Sequence, residues 1–476
     1  MKVLAIDQGT TGTKAFTLDE AGTFKKVAGF EHAQHYPQAG WVEHDAHELL
    51  AHVTSCIEAA GRVDAIGIDN QGETIVAWDA ATGRPICNAI VWQDDRTKDV
   101  TELLKSEGAE ELTLARAGLP LDPYFSASKM RWIIDHVDEA KALQKQGRLR
   151  ISTSDAFFLD RLTGVFATDV TTASRTSLMS LDTLQWDDEL LKLFGVPREV
   201  LPEIRATTGP FGEHKGSPVT ASLVDQQAAL FGHGCMNTGD AKITFGTGAF
   251  ALAIAGNTRP PRNASGLAAT VAWQMGRSAA AYALDGAVYN AASAVNWAKS
   301  LGLFSSYVDI NSFTAPSALS RGIVFVPALS GLACPHWDRG ASGLWIGLGL
   351  DTTKADMMQA LLEGVALRAA EVMRAMAGLL PLGSTISVDG GLANNDYFMG
   401  FLANALNRTL TVASSTELTA LGTARMAMQG LAQKKTGAMS LPPLPPPSRV
   451  FRPDQPLTDD LHRRFGDAVS RARAWR

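Results

Sequence analysis

The sequence predicts an α/β fold of two related domains, and three observations carry that expectation. The chain has 476 residues, more than one hydrophobic core serves before a protein divides into domains. Short apolar, β-branched runs alternate with longer stretches of helical periodicity, the mixture of an α/β class. Residues 239–253, GDAKITFGTGAFALA, repeat the plan of residues 4–16, LAIDQGTTGTKAF: apolar strand, Gly-Thr turn, apolar strand. One such hairpin in each half puts the boundary near the helical stretch 225–235, giving units of 1–230 and 231–476.

In chain order the strand-like runs are 1–6, 65–68, 74–78, 242–245, 251–255, 323–327 and 385–388, with helical stretches at 46–60, 356–380 and 396–406. The first run ends at Asp7, and Gly9, Thr10, Thr11, Gly12 and Thr13 crowd behind it before Ala15 and Phe16 resume the apolar pattern. Glycines let a backbone turn sharply and approach a ligand, and successive N–H groups with threonine hydroxyls suit phosphate oxygens. An ordinary Gly-Thr hairpin is the plainer alternative, because short motifs recur by chance. Two hairpins at equivalent places point instead to two domains facing one nucleotide. Within 356–380, Met357, Leu361, Val365, Leu367, Val372 and Met376 give the broad apolar face of a core helix. Its methionines fill space and need no functional account.

Composition narrows the class. The chain is 46% hydrophobic and 19% charged, with a formal net charge of −6, as expected of a globular protein. No basic block is long enough to track a nucleic acid, and no apolar stretch is long enough to span a bilayer. The sequence opens on a strand without a leader pattern, and Cys56, Cys87, Cys235 and Cys334 are scattered without paired spacing. Both features lead to the expectation of a cytoplasmic protein with reduced thiols. His32, His35, His44, His47 and His52 crowd one segment without a zinc spacing and read as structural or surface groups. The run LPPLPPPSR at 441–449 reads as a stiff connector rather than a polyproline ligand.

Motifs along most of the chain resemble the FGGY carbohydrate kinases, and among them the glycerol kinases most of all. They include DQGTTGTKA at 7–15, GWVEHDAHEL at 40–49, DNQGETIVAWD at 69–79, NAIVWQDDRT at 88–97 and LDPYFSASKMRWIID at 121–135. The order continues with TTASRTSLMSLDTLQWDDELL at 171–191, DQQAALFG at 225–232, FGTGAFAL at 245–252, WDRGASGLWIGL at 337–348 and VDGGLANN at 388–395. The resemblance implies two ribonuclease H-like domains of the actin and sugar-kinase type with the active site in the cleft between them. It implies ATP and Mg2+ as cofactors, a small polyol or sugar as substrate, and a homodimer or homotetramer as the assembly.

Moving a γ-phosphoryl group to an alcohol needs phosphate donors, a magnesium ion and a base at the acceptor hydroxyl. By resemblance Thr10, Thr11 and Lys14 hold phosphates from the first domain and Thr247 from the second, while Gly391 and Asn395 meet the adenosine end. Asp7 acts near the magnesium through its waters, as suits a carboxylate and that hard cation. A plain strand-to-helix connection is the alternative for Gly391 and Asn395. Asp225 is the expected base, although an aspartate before a helical run also reads as an N-cap. Gly72, Glu73, Trp92, Tyr124, Asp225, Gln226 and Phe250 fall on acceptor positions; taken singly, the three aromatics also read as core.

The chain departs from the glycerol kinases at Gly72, where they carry an arginine. Its loss removes donors and is expected to open space beside Glu73, weakening glycerol and admitting a longer polyol or a ketopentose. Gly12 replaces a serine, and Ala292 and Asn296 replace glycine and glutamine at nucleotide positions. The segment 212–225 is too short for the loop that binds fructose bisphosphate in bacterial glycerol kinases, so that inhibition is not expected. Two other classes remain as rivals: a non-transferring actin-like ATPase and a regulatory sugar-binding protein.

Overall fold

The computed structural model describes residues 1–261, 266–434 and 441–475. Strands β1 (Lys2–Gln8), β2 (Gly12–Asp19) and β3 (Phe24–Glu31) form an antiparallel meander. The chain then enters helix α1 (Ala46–Ala60), which starts where Asp45 accepts the His47 N–H and ends at Gly61. It returns as β4 (Ala65–Asn70), parallel to β1, and later as β5 (Ser217–Val224), parallel to β4. The sheet order is β5-β4-β1-β2-β3, with the short strand Glu213–His214 beyond β5. Helix α2 (Asp225–Gly232) follows β5 directly.

The second half repeats this plan. Strands β6 (Ala241–Phe245), β7 (Ala249–Gly256), β8 (Ala268–Trp273) and β9 (Ala281–Val288) precede the long helix α3 (Lys354–Ala377), which opens on a capping box between Thr353 and Asp356. After it come β10 (Thr385–Gly390), helix α4 (Asp396–Leu406) and β11 (Thr409–Val412), then helix α5 (Leu418–Lys434) and β12 (Arg449–Phe451). The sheet runs β8-β9-β7-β6-β10-β11-β12. Its segment β9-β7-β6-β10-β11 matches β3-β2-β1-β4-β5 in order and in sense: antiparallel through the first three strands, parallel through the rest. The internal echo is therefore one corner of a whole repeated sheet.

Some predicted elements fall differently. Residues 74–78 do not join a main sheet; Ile75–Asp79 lies in a separate four-stranded sheet with Leu149–Thr153, Ala89–Ile90 and Glu43–His44. The run 323–327 yields Val324–Val326, which pairs only with Leu344–Ile346. Helix α2 stops at Gly232 rather than at 235, because Gly234 takes a left-handed φ of 77°.

Helices α2 and α5 hold corresponding places after β5 and β11, and they cross in close contact. A Cβ on Gly232 would stand 2.0 Å from the Leu418 carbonyl oxygen, and one on Gly422 only 1.8 Å from that of Ala228. Glycine at both positions is what lets the backbones approach. Leu421, Ala424 and Met428 of α5 join Val3, Ala5 and Ala65 of the first sheet in one apolar cluster with Ala228 and Phe231 of α2. Thus a helix from the second half of the chain covers the first sheet. A separate core packs α3 and α4 on the second sheet.

Candidate active site

Three carboxylates stand at the C-terminal ends of three adjacent parallel strands. Asp7 and Asp69 are the penultimate residues of β1 and β4, in register with each other, and Asp225 begins α2 directly after β5. Ligands of open α/β sheets sit outside such strand ends. Burial raises the Asp7 carboxyl to about 6 and Asp69 well above the usual carboxylate range; the Asp7 charge raises Asp69 further, whereas the Asp69 side chain lowers Asp7. The Thr423 hydroxyl of α5 donates to Asp69 Oδ2 at 2.6 Å, while Asp69 Oδ1 is buried without a partner. An orphaned carboxylate oxygen beside a second carboxylate suits a divalent cation. Among the described residues no three His, Cys, Asp or Glu side chains form a metal cage.

The two hairpin turns line the same cleft as Asp225. Thr10 and Thr11 occupy the β1–β2 turn, tied by the Gly9 N–H to the Gly12 oxygen at 3.0 Å. His32 and Thr10 meet across 2.9 Å at the Thr10 carbonyl, so one of the crowded histidines serves to brace the turn. Thr247 occupies the β6–β7 turn, and its carbonyl accepts the N–H groups of Ala291 and Ser293.

Between the turns lies a cleft of about 580 Å³ lined by Thr10, Thr11, Gly72, Glu73, Trp92, Tyr124, Asp225, Gln226, Thr247 and Phe250. The Trp92 ring lies 5.5 Å from Tyr124 and 6.2 Å from Phe250, both edge-on, making an apolar cup from both halves of the chain. Trp92 Nε1 donates to the Thr10 hydroxyl at 3.0 Å, joining cup to turn. The fully buried Lys129 donates to the carbonyls of Trp92 and Tyr124, each at 3.1 Å, and so fixes both loops. Burial lowers its ammonium to about 8.

Asp225 Oδ1 accepts the Gln226 N–H at 2.6 Å. Its backbone is set by the Thr171 hydroxyl, which accepts the Val224 N–H at 3.0 Å. Val224, not Asp225, is the cap position, so the carboxylate stands at a helix N-terminus yet faces the cleft. Burial, with Glu73 and Asp7 adding repulsion, pushes it up to about 7. That is the poise of a group that takes a proton near neutral pH. Gln226 Oε1 accepts from the buried Lys242 at 2.6 Å.

Four expected residues stand outside the cleft lining. Asp7 lies beneath the first turn. Lys14 on β2 pairs with Glu417, just before α5, at 3.0 Å. Gly391 opens a turn after β10, and no atom would crowd a Cβ there. Asn395 caps α4: its Oδ1 accepts the Phe398 N–H and its Nδ2 donates to the Ile310 carbonyl, both at 2.8 Å.

Gly72 needs correction. The expected space beside Glu73 is not on its Cβ side, where a side chain would meet Val224 Cγ1 at 2.8 Å and Cγ2 at 3.1 Å. Nor is a guanidinium missing. Arg175, 102 positions away, donates from Nε to Glu73 Oε1 at 2.7 Å, and its Nη1 lies 2.8 Å from Asp285 Oδ2 on β9. Arg175 and Asp285 escaped the sequence reading, although Arg175 sits inside the quoted motif TTASRTSLM. Asp69 escaped too, yet it ends an apolar run as Asp7 does, and that signal was available. At the mouth, Arg339 of the second half grips Asp122 of the first at 2.8 Å.

Comparison with known proteins agrees with this architecture. Residues 2–232 match the FGGY family of carbohydrate kinases, N-terminal domain, and residues 241–431 match its C-terminal domain. The glycerol kinase of Thermus brockianus is 42% identical over 99% of both chains. That of Citrifermentans bemidjiense is 39% identical, again over 99% of both. The crystal structure of Plasmodium falciparum glycerol kinase with ADP superposes with a TM-score of 0.90 at 29% identity, covering 99% of this chain and 98% of that one. The chain belongs to the FGGY family of carbohydrate kinases.

Proposed function

We propose that this protein transfers the γ-phosphoryl group of ATP, with Mg2+, to a hydroxyl of a small polyol, and that glycerol is the acceptor. The observation that carries this is the floor of the cleft. A base-poised Asp225 and a Glu73–Arg175 pair lie under the Trp92, Tyr124 and Phe250 cup, between two glycine-threonine turns. A non-transferring ATPase has no need of such an acceptor cup, and neither does it need Asp225 beside it.

Thr10, Thr11 and Thr247 hold the phosphates, with Lys14 released from Glu417 to join them. Gly391 and Asn395 lie at the adenosine end. Asp7, with Asp69 beside it, would hold the magnesium, which would supply charge neutralisation for the transferred phosphoryl group. Asp225 accepts the acceptor's hydroxyl proton. Glu73 and Gln226 orient the remaining hydroxyls while the aromatic faces cover the carbon chain. The four free cysteines fit a reducing cytoplasm, a homodimer or homotetramer is the assembly, and a boundary near residue 230 separates the domains.

A longer polyol or a ketopentose is the second reading, favoured by a cleft of about 580 Å³. Measuring kcat/KM for glycerol, tetritols, pentitols and ketopentoses decides between them. Glycerol is expected to lead; a lead of about tenfold or more for a longer acceptor would replace it.

A further inference from the structure

Lys242 sits on β6 of the second sheet, between Leu252 of β7 and Ser387 of β10, and it is fully buried. A lysine is seldom buried so completely unless other groups compensate its charge. Its ammonium donates to the Thr244 hydroxyl, on the same face of β6, at 3.0 Å, and to Gln226 Oε1 of α2 at 2.6 Å. Both partners are neutral. Burial lowers the ammonium below its ordinary value, while Asp389 of β10, Asp225 of α2 and Asp285 of β9 support its charge. A lysine that served only to pair charge would bond one of those carboxylates. This one bonds an amide that lines the cleft.

A carboxamide carries an acceptor and a donor of nearly the same shape, so a half-turn exchanges its two ends. An ammonium has donors alone and therefore holds the oxygen end. Gln226 Nε2 is left without a protein partner among the described residues, open to the cleft whose wall Gln226 forms beside Asp225. We propose that Lys242 is a positioning residue: it fixes the Gln226 amide so that its NH2 group, and not its oxygen, meets a hydroxyl oxygen of the acceptor. The assignment rests on the polyol reading above and deepens it by giving the site a donor. Asp225 and Glu73, when ionised, only accept hydrogen bonds. An acceptor hydroxyl that donates to them still has an oxygen to satisfy, and Gln226 satisfies it. A second-sheet strand thus sets the orientation of an amide on a helix of the first half.

A double-mutant cycle tests this on glycerol, or on the longer polyol should one lead: wild type, Lys242→Met, Gln226→Ala and both changes together. Each single change is expected to raise the KM for the polyol about tenfold, the loss of one hydrogen bond, with the KM for ATP unchanged. The double variant is expected to match the single ones, because without the amide Lys242 has nothing to orient. Losses that multiply to about 100-fold would mean that Lys242 acts independently of Gln226, as a purely structural residue does, and would overturn the proposal. So would an unchanged KM in Lys242→Met. Gln226→Glu decides the matter if Lys242→Met does not fold. It keeps the size and the bond to Lys242 but turns an oxygen towards the acceptor, so the KM for the polyol is expected to rise about tenfold or more; an unchanged KM would overturn the donor role. A wild type that phosphorylates a polyol confines any such failure to Lys242. One that phosphorylates no polyol would refute the polyol reading and this proposal with it.

Discussion

Asp225 is a carboxyl that the fold holds at about 7 against an ordinary 3.8, chiefly by burial. Between those values the unfolded chain is ionised while the native chain keeps its proton. The native state therefore binds more protons, and its stability falls as pH rises through this window. Activity runs the other way, because a base must be ionised to accept a proton. Below about pH 6 the kcat/KM for the acceptor is expected to fall roughly tenfold per pH unit. Asp225→Asn should lower turnover by about 100-fold or more, leave nucleotide affinity nearly intact, and raise the melting midpoint at pH 8. A variant with near wild-type turnover at saturating acceptor would remove Asp225 from the role. The contrast between legible and hidden residues is instructive at this scale. Asp7 could be read because it closes an apolar run, a pattern written in neighbouring letters, whereas Asp225 read equally as a helix N-cap until the motif DQQAALFG brought in the family resemblance. Arg175 could not, because its partner Glu73 lies 102 positions away and only the fold brings them together. Gly72 misled for the same reason: whether a missing side chain leaves a void depends on Val224, which local sequence does not reveal.

At the scale of elements, several strands and the helices α1, α3 and α4 were legible because their periodicities are local, and the hairpin echo exposed the repeat, but the 17-residue α5 went unread. The strand order was not legible, since parallel neighbours such as β1 and β4 are joined through a helix. The α2–α5 crossing was hidden altogether, since nothing local distinguishes Gly422 from any other helical glycine. The structure does distinguish them. In an open helix, Gly→Ala gains up to about 1 kcal/mol. At Gly422 the added Cβ would sit 1.8 Å from a backbone oxygen that cannot swing away, and overpacking of that kind costs about 1–3 kcal/mol. Packing should win: Gly422→Ala is expected to lower the thermal midpoint. Gly466→Ala, in the helix Asp459–Ala472 with nothing within 4 Å of its Cβ, is expected to raise it. Equal shifts in both variants would mean that the two helices do not meet as described.

For the whole molecule, the division of labour between halves is the central feature. Phosphate turns come from both sheets, the aromatic cup draws Phe250 from one half and Trp92 and Tyr124 from the other, and Arg175 spans Glu73 and Asp285. Lys14–Glu417 and Arg339–Asp122 also link residues far apart in the chain around the same cleft. Such a cleft can exclude water only when its two sides come together on both substrates, which directs the phosphoryl group to a polyol rather than to water. Phosphorus NMR of a reaction containing ATP, Mg2+ and glycerol reads that outcome directly. The account predicts ADP and a phosphate monoester of the polyol in equal amounts, with little inorganic phosphate and slow ADP formation when the polyol is left out. Inorganic phosphate as the main product, formed at the same rate with or without any polyol, would contradict it.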